Sequence, residues 1–367
     1  MKIFFLTEGT PLSPASRIRV FEYLDRFRGT ESFERLEPHL ASFTSEDYCR
    51  RIVAGERSGW LRRIQEKFYQ LGALLRLLAG SLVCDVVFIQ RVLLPVPLQE
   101  AIRLFNRSIV YDFDDAVYLG KPNRKARFAS QVSLAARVIA VSRAARSEAL
   151  SHGAREEKVS VLPSPVDCKA YRTKDYQDAE PQGRKQAGPI NNIFTVGWIG
   201  SPATTPFLQA IWPQLACFAG SFPEVRFLFI GARRFETGEL SDRTRFEPWS
   251  PAVEKELLCR LDVGLMPLED NLWCRGKGGY KLIQYMAAGV ACLASFVGAN
   301  LEIVEEGRTG FFIRNQNEWG ESLCRLLANR ELTERLGRAG RERVEKLYDY
   351  SVTTPRFFAL LEEAAKI

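Results

Sequence analysis

Histidine and methionine are scarce in this chain, with two and three copies among 367 residues. Neither His39 nor His152 lies near a cysteine, and the eight cysteines contain no Cys-x-x-Cys pair. That spacing offers no ligand set for a structural zinc ion, so no metal site is expected. Cys84, Cys217, Cys292 and Cys324 sit within apolar segments, as buried thiols do. A reducing compartment without a disulfide framework follows as the expectation. Long hydrophobic runs are also missing. The longest, residues 71–87, is interrupted by Arg76 and Asp85, and the apolar run at the N-terminus is too short for a secretory signal. The sequence therefore reads as a cytoplasmic chain with no membrane-spanning helix. Neither a G-x-G-x-x-G nor a G-x-x-x-x-G-K-[ST] pattern occurs, which disfavours a nicotinamide-dependent enzyme and a P-loop enzyme.

What is present is an ordinary globular composition, 46% hydrophobic and 26% charged. The length suits two domains, each large enough to bury a core. Lysine and arginine number 51 against 44 acidic residues, a net charge of +7. That balance suits phosphate-bearing ligands or an anionic membrane face, and equally a solvated basic surface. No nucleic-acid partner is expected.

Along the chain, short apolar runs alternate with amphipathic stretches. Strands are predicted at 2–7, 85–90, 108–112, 138–141 and 159–162, with helices from Ser16, at 60–79 and at 143–152. A polar stretch, 168–190, reads as a linker. Alternation then resumes with strands at 194–199, 226–230, 263–266, 292–295 and 310–313. Helices are predicted at 204–218, 252–258, 279–288, 317–328, 331–346 and 351–365. This pattern predicts an α/β chain with two Rossmann-like domains of parallel strands, 1–185 and 186–350, and a final helix, 351–367, returning to the first. Ligands of such sheets bind beyond the carboxyl ends of strands, so two facing domains would hold the site in the cleft between them.

Three loops stand out there. Asp112, Asp114 and Asp115 place three carboxylates within four residues at the end of a strand, where they repel unless they have work as metal ligands, as a base or as charge stabilisers; an Asp-rich turn is the simpler reading. The loop from Gly197 to Thr205, with Gly200 and Ser201, joins a strand to a helix whose free amides suit phosphate. The third is RGKGGYKLIQYMAAG. Its glycines open a helix, and Lys277, Lys281 and Gln284, spaced four and three apart, are predicted to share one face beside those amides. With Arg275 they make a candidate diphosphate cradle.

The run GKGGYKLIQYMAAGVACLASFVGANLEIVEEGRTGFF, preceded in order by YDFDDAVY, VIAVSRAARSEAL, VSVLPSPVD and VGWIGSP, resembles the family 4 glycosyltransferases of GT-B fold over most of the chain. The resemblance implies a retaining, metal-independent hexosyl transfer from a nucleotide sugar to a glycan, a lipid-linked sugar or a small molecule, as in cell-surface polysaccharide synthesis, with no cofactor beyond the donor. It implies donor binding by Gly200, Ser201, Trp249, Arg275, Lys277, Lys281, Gln284, Gly298 and Asn300. Catalytic work falls to Asp114, with Asp115 and Asp112, and acceptor or phosphate contacts to Arg17 and Arg19. The chain departs from the family where two glutamates are usual, at Gly276 and Gln284. It also has Asp114 where a histidine is frequent. Those departures keep two other readings open, a noncatalytic partner subunit and a nucleotide-sugar epimerase. Residues 60–79 carry Arg62, Arg63, Lys67 and Arg76 among leucines. The simpler reading packs those leucines on the sheet; the other lays the helix on an anionic inner membrane face.

Overall fold

A computed structural model describes residues 1–28, 36–54, 56, 59–173 and 193–367. Among them run twelve strands in two six-stranded sheets. The first holds β1 (Lys2–Thr7), β2 (Glu37–Ser42), β3 (Val86–Gln90), β4 (Ile109–Phe113), β5 (Arg137–Ala140) and β6 (Val159–Val161), in the order β2-β1-β3-β4-β5-β6. The second holds β7 (Phe194–Ile199), β8 (Val225–Ile230), β9 (Thr244–Glu247), β10 (Val263–Met266), β11 (Ala291–Ser295) and β12 (Gly310–Ile313), in the order β12-β11-β10-β7-β8-β9. Every pairing is parallel. Each order reverses once, between β1 and β3 and between β7 and β10. Those reversals are the topological switch points, where the connections diverge and leave a crevice at the strands' carboxyl ends.

The central strands are continuously apolar because both of their faces are buried. In the first sheet, Phe4, Leu6, Val87 and Ile89 join a core with Ala73, Leu77 and Phe128. Their neighbours Ile3, Phe5, Val86 and Phe88 face the opposite core with Tyr23, Phe357 and Leu361. Helix Tyr350–Ala365 thus covers one face of the first sheet, with the Phe357 ring stacked on Tyr23 at 4.4 Å. In the second sheet, Val196, Trp198, Phe227 and Phe229 pack against helices Thr205–Ser221 and Glu318–Ala328, while Ile230, Met266 and Cys292 pack against Tyr280–Ala287.

Contacts divide the chain into two compact units: Met1–Pro165 with Arg275–Gly278 and Tyr350–Ile367, and Val166–Cys274 with Gly279–Asp349. The predicted boundary at 185/186, and most of the predicted linker, lie outside the described residues. The division falls earlier because Val166, Cys168 and Tyr171 are buried in the second unit's core. Two strands that the pattern did not predict, β2 and β9, are both sheet edges. Edge strands need no continuous apolar run and tolerate a proline such as Pro38. Helices Val96–Phe105 and Arg124–Leu134 were also not predicted. Cys84 and Cys292 are buried as expected, whereas Cys217 is exposed and Cys324 is half-buried against the core of the second sheet. Among the described residues no helix is long and apolar enough to cross a membrane.

Candidate functional site

The carboxylate triplet closes β4, and its members meet different fates. Asp112 points into the core. Arg19, from the helical turn Arg17–Phe21, reaches it with Nε at 2.8 Å from Oδ2 and a second guanidinium nitrogen on Oδ1, while also donating to the Leu162 carbonyl (3.2 Å) and Ser164 Oγ (3.3 Å). Both side chains are buried, at 1% and 2% exposure. Burial opposes the Arg19 charge, and Asp112 outweighs that opposition, so the guanidinium is held above its ordinary value. The expected catalytic part for Asp112 and the expected acceptor contact for Arg19 are therefore corrected: each satisfies the other, and neither presents an atom to a ligand. Arg17 is partly exposed, with Nε 3.3 Å from Glu22 Oε1.

Asp114 and Asp115 stay at the surface of the loop, gathered by a residue that the motif reading missed. Arg91 follows β3 with a positive φ of 61°, uncommon for a residue with a side chain. Its backbone N–H donates to the Asp112 carbonyl at 2.8 Å. Its guanidinium lies 3.3 Å from Glu8 Oε2, 3.2 Å from Asp114 Oδ1 and 3.5 Å from Asp115 Oδ2. Burial again opposes the charge, and Asp114, Glu8 and Asp115 more than restore it. Asp115 Oδ1 also accepts the Ala116 N–H at 2.9 Å. Gln90, beside Arg91, accepts from the Glu8 N–H (3.0 Å) and from Ser16 Oγ (2.9 Å). Glu8, Gln90 and Arg91 all lie at the β1/β3 switch point. The rule that ligands bind past strand ends, applied to the strand at 85–90, would have reached Arg91.

The glycine-rich segment is divided. The helix begins at Tyr280, so Lys277 lies before it and does not share a helical face with Lys281 and Gln284, contrary to the prediction. Arg275–Gly278 belongs with the first unit. A Cβ on Gly276 would sit 2.7 Å from that of Ala116, and one on Gly278 2.8 Å from Val141 Cγ2. The glutamate usual at 276 has no room here. Lys277 is thereby carried beside the 114–116 loop; Arg275 is exposed at the end of the short helix Leu272–Arg275.

In the second unit, the β7/β10 switch point is organised by Tyr285, whose hydroxyl accepts the Ile199 N–H (2.9 Å) and donates to the Leu265 carbonyl (3.0 Å). That pins helix Tyr280–Ala287 at the carboxyl ends of both strands. Gly279, left-handed at φ 67°, is its N-cap and offers no side-chain acceptor to the first amides, which suits an anion there. Asn300 flanks Gly279: its Nδ2 donates to the Ser295 carbonyl at 2.9 Å, while its buried Oδ1 has no hydrogen-bond partner. The Gly298 carbonyl accepts from Leu301 in the same turn (3.2 Å). The Lys281 ammonium lies 4.9 Å from the centre of the Trp198 ring, at the end of β7. The next residues are Gly200, whose N–H donates to the Ile230 carbonyl (3.0 Å), and Ser201, which caps the turn Pro202–Thr204. The structure thus brings Gly200, Ser201, Lys281 and Asn300 to one end of the sheet.

Gln284 makes a contact of its own behind this end of the sheet. It is buried, and its Nε2 donates to Tyr171 Oη at 3.3 Å. Tyr171 donates to Glu254 Oε1 (2.7 Å), and Trp249 Nε1 donates to Glu254 Oε2 (2.6 Å). Burial, then neighbouring groups including Glu254, raise the Tyr171 hydroxyl well above its usual range, so it remains a donor. Gln284 thus takes part through its Nε2 in a buried network that holds the Trp249 ring. Tyr171 and Glu254 carried no motif signal in the sequence.

The Arg19–Asp112 pair gives a clear expectation. Arg19→Met leaves a buried carboxylate unpaired and should destabilise the protein by about 3–5 kcal/mol, measured by urea unfolding. Arg19→Met combined with Asp112→Leu should recover part of that loss. Wild-type stability in the single variant would mean that Asp112 is not held by Arg19.

Residues 191–329 match the family model described as Glycosyl transferases group 1. Spore coat protein SA of Bacillus subtilis (strain 168) is 24% identical over 223 residues, 56% of this chain. The chain spans 59% of the length of that relative. The crystal structure of Anabaena Alr3699/HepE in complex with UDP is similar over 99% of this chain and all of that one, with a TM-score of 0.70 and 16% identity. Sucrose-phosphate synthase from Thermosynechococcus elongatus is similar over 99% of this chain and 98% of its own, with a TM-score of 0.71 and 14% identity. The stretch 191–329, which contains all nine expected donor-binding residues, is similar to the Glycosyl transferases group 1 domain, and the chain has the GT-B fold.

Proposed function

We propose that this protein is a retaining glycosyltransferase that moves a hexosyl group from a nucleotide sugar to a glycan, a lipid-linked sugar or a small-molecule acceptor. The observation that carries the reading is the uncapped start of helix Tyr280–Ala287 at the β7/β10 switch point, with Lys281 and Asn300 beside it, inside the stretch that matches the glycosyl transferase model. Free amides and an ammonium group together suit a diphosphate. UDP is the first nucleotide to test, because HepE was crystallised with it. Trp249 offers a ring to the base, steadied through Glu254 and, behind it, Tyr171 and Gln284. In the first unit, Asp114 stabilises positive charge on the reacting sugar or holds an acceptor hydroxyl, and Arg91 fixes its position.

A thermal-shift screen of UDP, GDP, ADP and dTDP should find one nucleotide that raises the melting temperature. For that nucleotide, Lys281→Ala is expected to weaken binding by about 1.5–3 kcal/mol, as for loss of a charge-assisted hydrogen bond. Calorimetry checks this, and unchanged affinity would move the phosphates away from this helix. Two turnover measurements follow from the first unit. Turnover is expected to survive excess EDTA, because the carboxylates that imitate a metal-binding pair are engaged by Arg19 and Arg91; complete loss, restored by Mg²⁺ or Mn²⁺, would contradict that. Asp114→Asn keeps the shape and removes the charge. Its turnover should fall by about 10²-fold or more, as for loss of one electrostatic stabiliser, while nucleotide affinity holds. Near-normal turnover would return the triplet to a structural turn. Nucleotide binding without release in the presence of acceptors would favour a noncatalytic subunit.

A further inference from the structure

Helix Trp60–Val83 rests only part of its leucines on the first sheet's core: Leu77 is buried, and Leu74 and Leu78 pack beside it. Its buried side chains are Glu66, Ala73, Leu77 and Ser81, with Gly80 pressed on Phe4. On the opposite side of the helix lies a second apolar stripe, Leu61, Ile64, Phe68, Leu71, Leu75 and Leu82, all exposed; Trp60 at its start is 69% exposed and Phe68 70%. The spacing of three, four, three, four and seven keeps these residues on one side over six turns. The stripe continues past the helix end. Asn106 Nδ2 donates to the Cys84 carbonyl at 2.7 Å, which sets the end of helix Val96–Phe105 beside Leu82 and Val83, and there Leu104 is 82% exposed with Phe105 next to it.

The exposed charges on helix Trp60–Val83 itself have one sign; Asp85 and Glu100 lie only past its end. Arg62, Arg63, Lys67 and Arg76 are exposed, and none of them is in an ion pair among the described residues. The helix's single acid, Glu66, is buried and accepts the Ser45 N–H at 3.0 Å. Along this helix, a row of exposed apolar side chains flanked by cations fits a partner that is both apolar and anionic. A second copy of this helix is a poor fit, because it would set Lys67 and Arg76 against their like.

We propose that helix Trp60–Val83 lies flat on an anionic lipid surface, with Trp60, Phe68, Leu71 and Leu75 in the acyl boundary and Lys67 and Arg76 at the headgroups. The helix lies on the bilayer and does not cross it, as its charges require. This inference does not depend on the proposed reaction.

Co-sedimentation of the full chain with vesicles is the test. Equal parts of phosphatidylserine and phosphatidylcholine should bring the protein down, and phosphatidylcholine alone should not. Lys67→Glu with Arg76→Glu should weaken binding by about tenfold or more, from roughly 1 kcal/mol per basic residue. Phe68→Ser with Leu75→Ser should do likewise. Both pairs lie on the exposed face, so melting temperatures should match the wild type. Absence of binding to anionic vesicles, equal binding to neutral ones, or binding indifferent to both pairs of substitutions would overturn the proposal. So would concentration-dependent dimerisation, by sedimentation velocity, that the Phe68/Leu75 pair abolishes while vesicles remain unbound.

Discussion

Three carboxylates at the end of one strand can persist only if cations hold them, and here two arginines divide that task. Arg19 takes Asp112 into the core, where it braces β4 against the helical turn that carries Arg19 and against the Leu162 and Ser164 segment. Arg91 collects Asp114, Asp115 and Glu8 at the loop surface. The first pair is a fixed support with no exposed atom. The second leaves carboxylate oxygens at the mouth of the β1/β3 switch point, where chemistry is available to them. The position of the 114–116 loop depends on both, and so does that of the Gly276–Gly278 segment packed on it.

The second unit meets a different constraint. In the proposed reading its site presents amides and positive charge to a diphosphate, and a helix that does so cannot be capped by a carboxylate or a hydroxyl. Gly279 satisfies this by turning the chain left-handed without a side chain. Tyr285 then fixes the helix to both strands of the switch point. The glutamates usual in similar chains are replaced by residues that do structural work: Gly276 because Ala116 occupies the space, and Gln284 because Tyr171 needs a donor within a buried network.

Both sheets were legible in the sequence because parallel strands buried on two faces have to be continuously apolar. The carboxylate triplet and the glycine-opened helix were legible because charge repulsion and chain turning restrict residue choice. Three things were not. The edge strands β2 and β9 lack the apolar signature, since one side has no neighbour. The separate fates of Asp112 and Asp114 depend on one arginine 93 residues before Asp112 and another just past the end of the neighbouring strand, distances that no local pattern encodes. The exposure of the leucine stripe on helix Trp60–Val83 is hidden because leucines lie on both sides of it, Leu77 buried with Leu74 and Leu78 beside it, and Leu61, Leu71, Leu75 and Leu82 facing outward. In fact Ala73 and Gly80 permit the close approach to the sheet.

The central claim is that a nucleotide sugar is held at the β7/β10 switch point. Amide hydrogen exchange on the full chain, with and without saturating UDP, addresses it without requiring an acceptor. The account predicts slowed exchange in residues 199–205 and 279–284, with little change in the buried strands. Slowing confined to the first unit, in a protein that demonstrably binds the nucleotide, would contradict it.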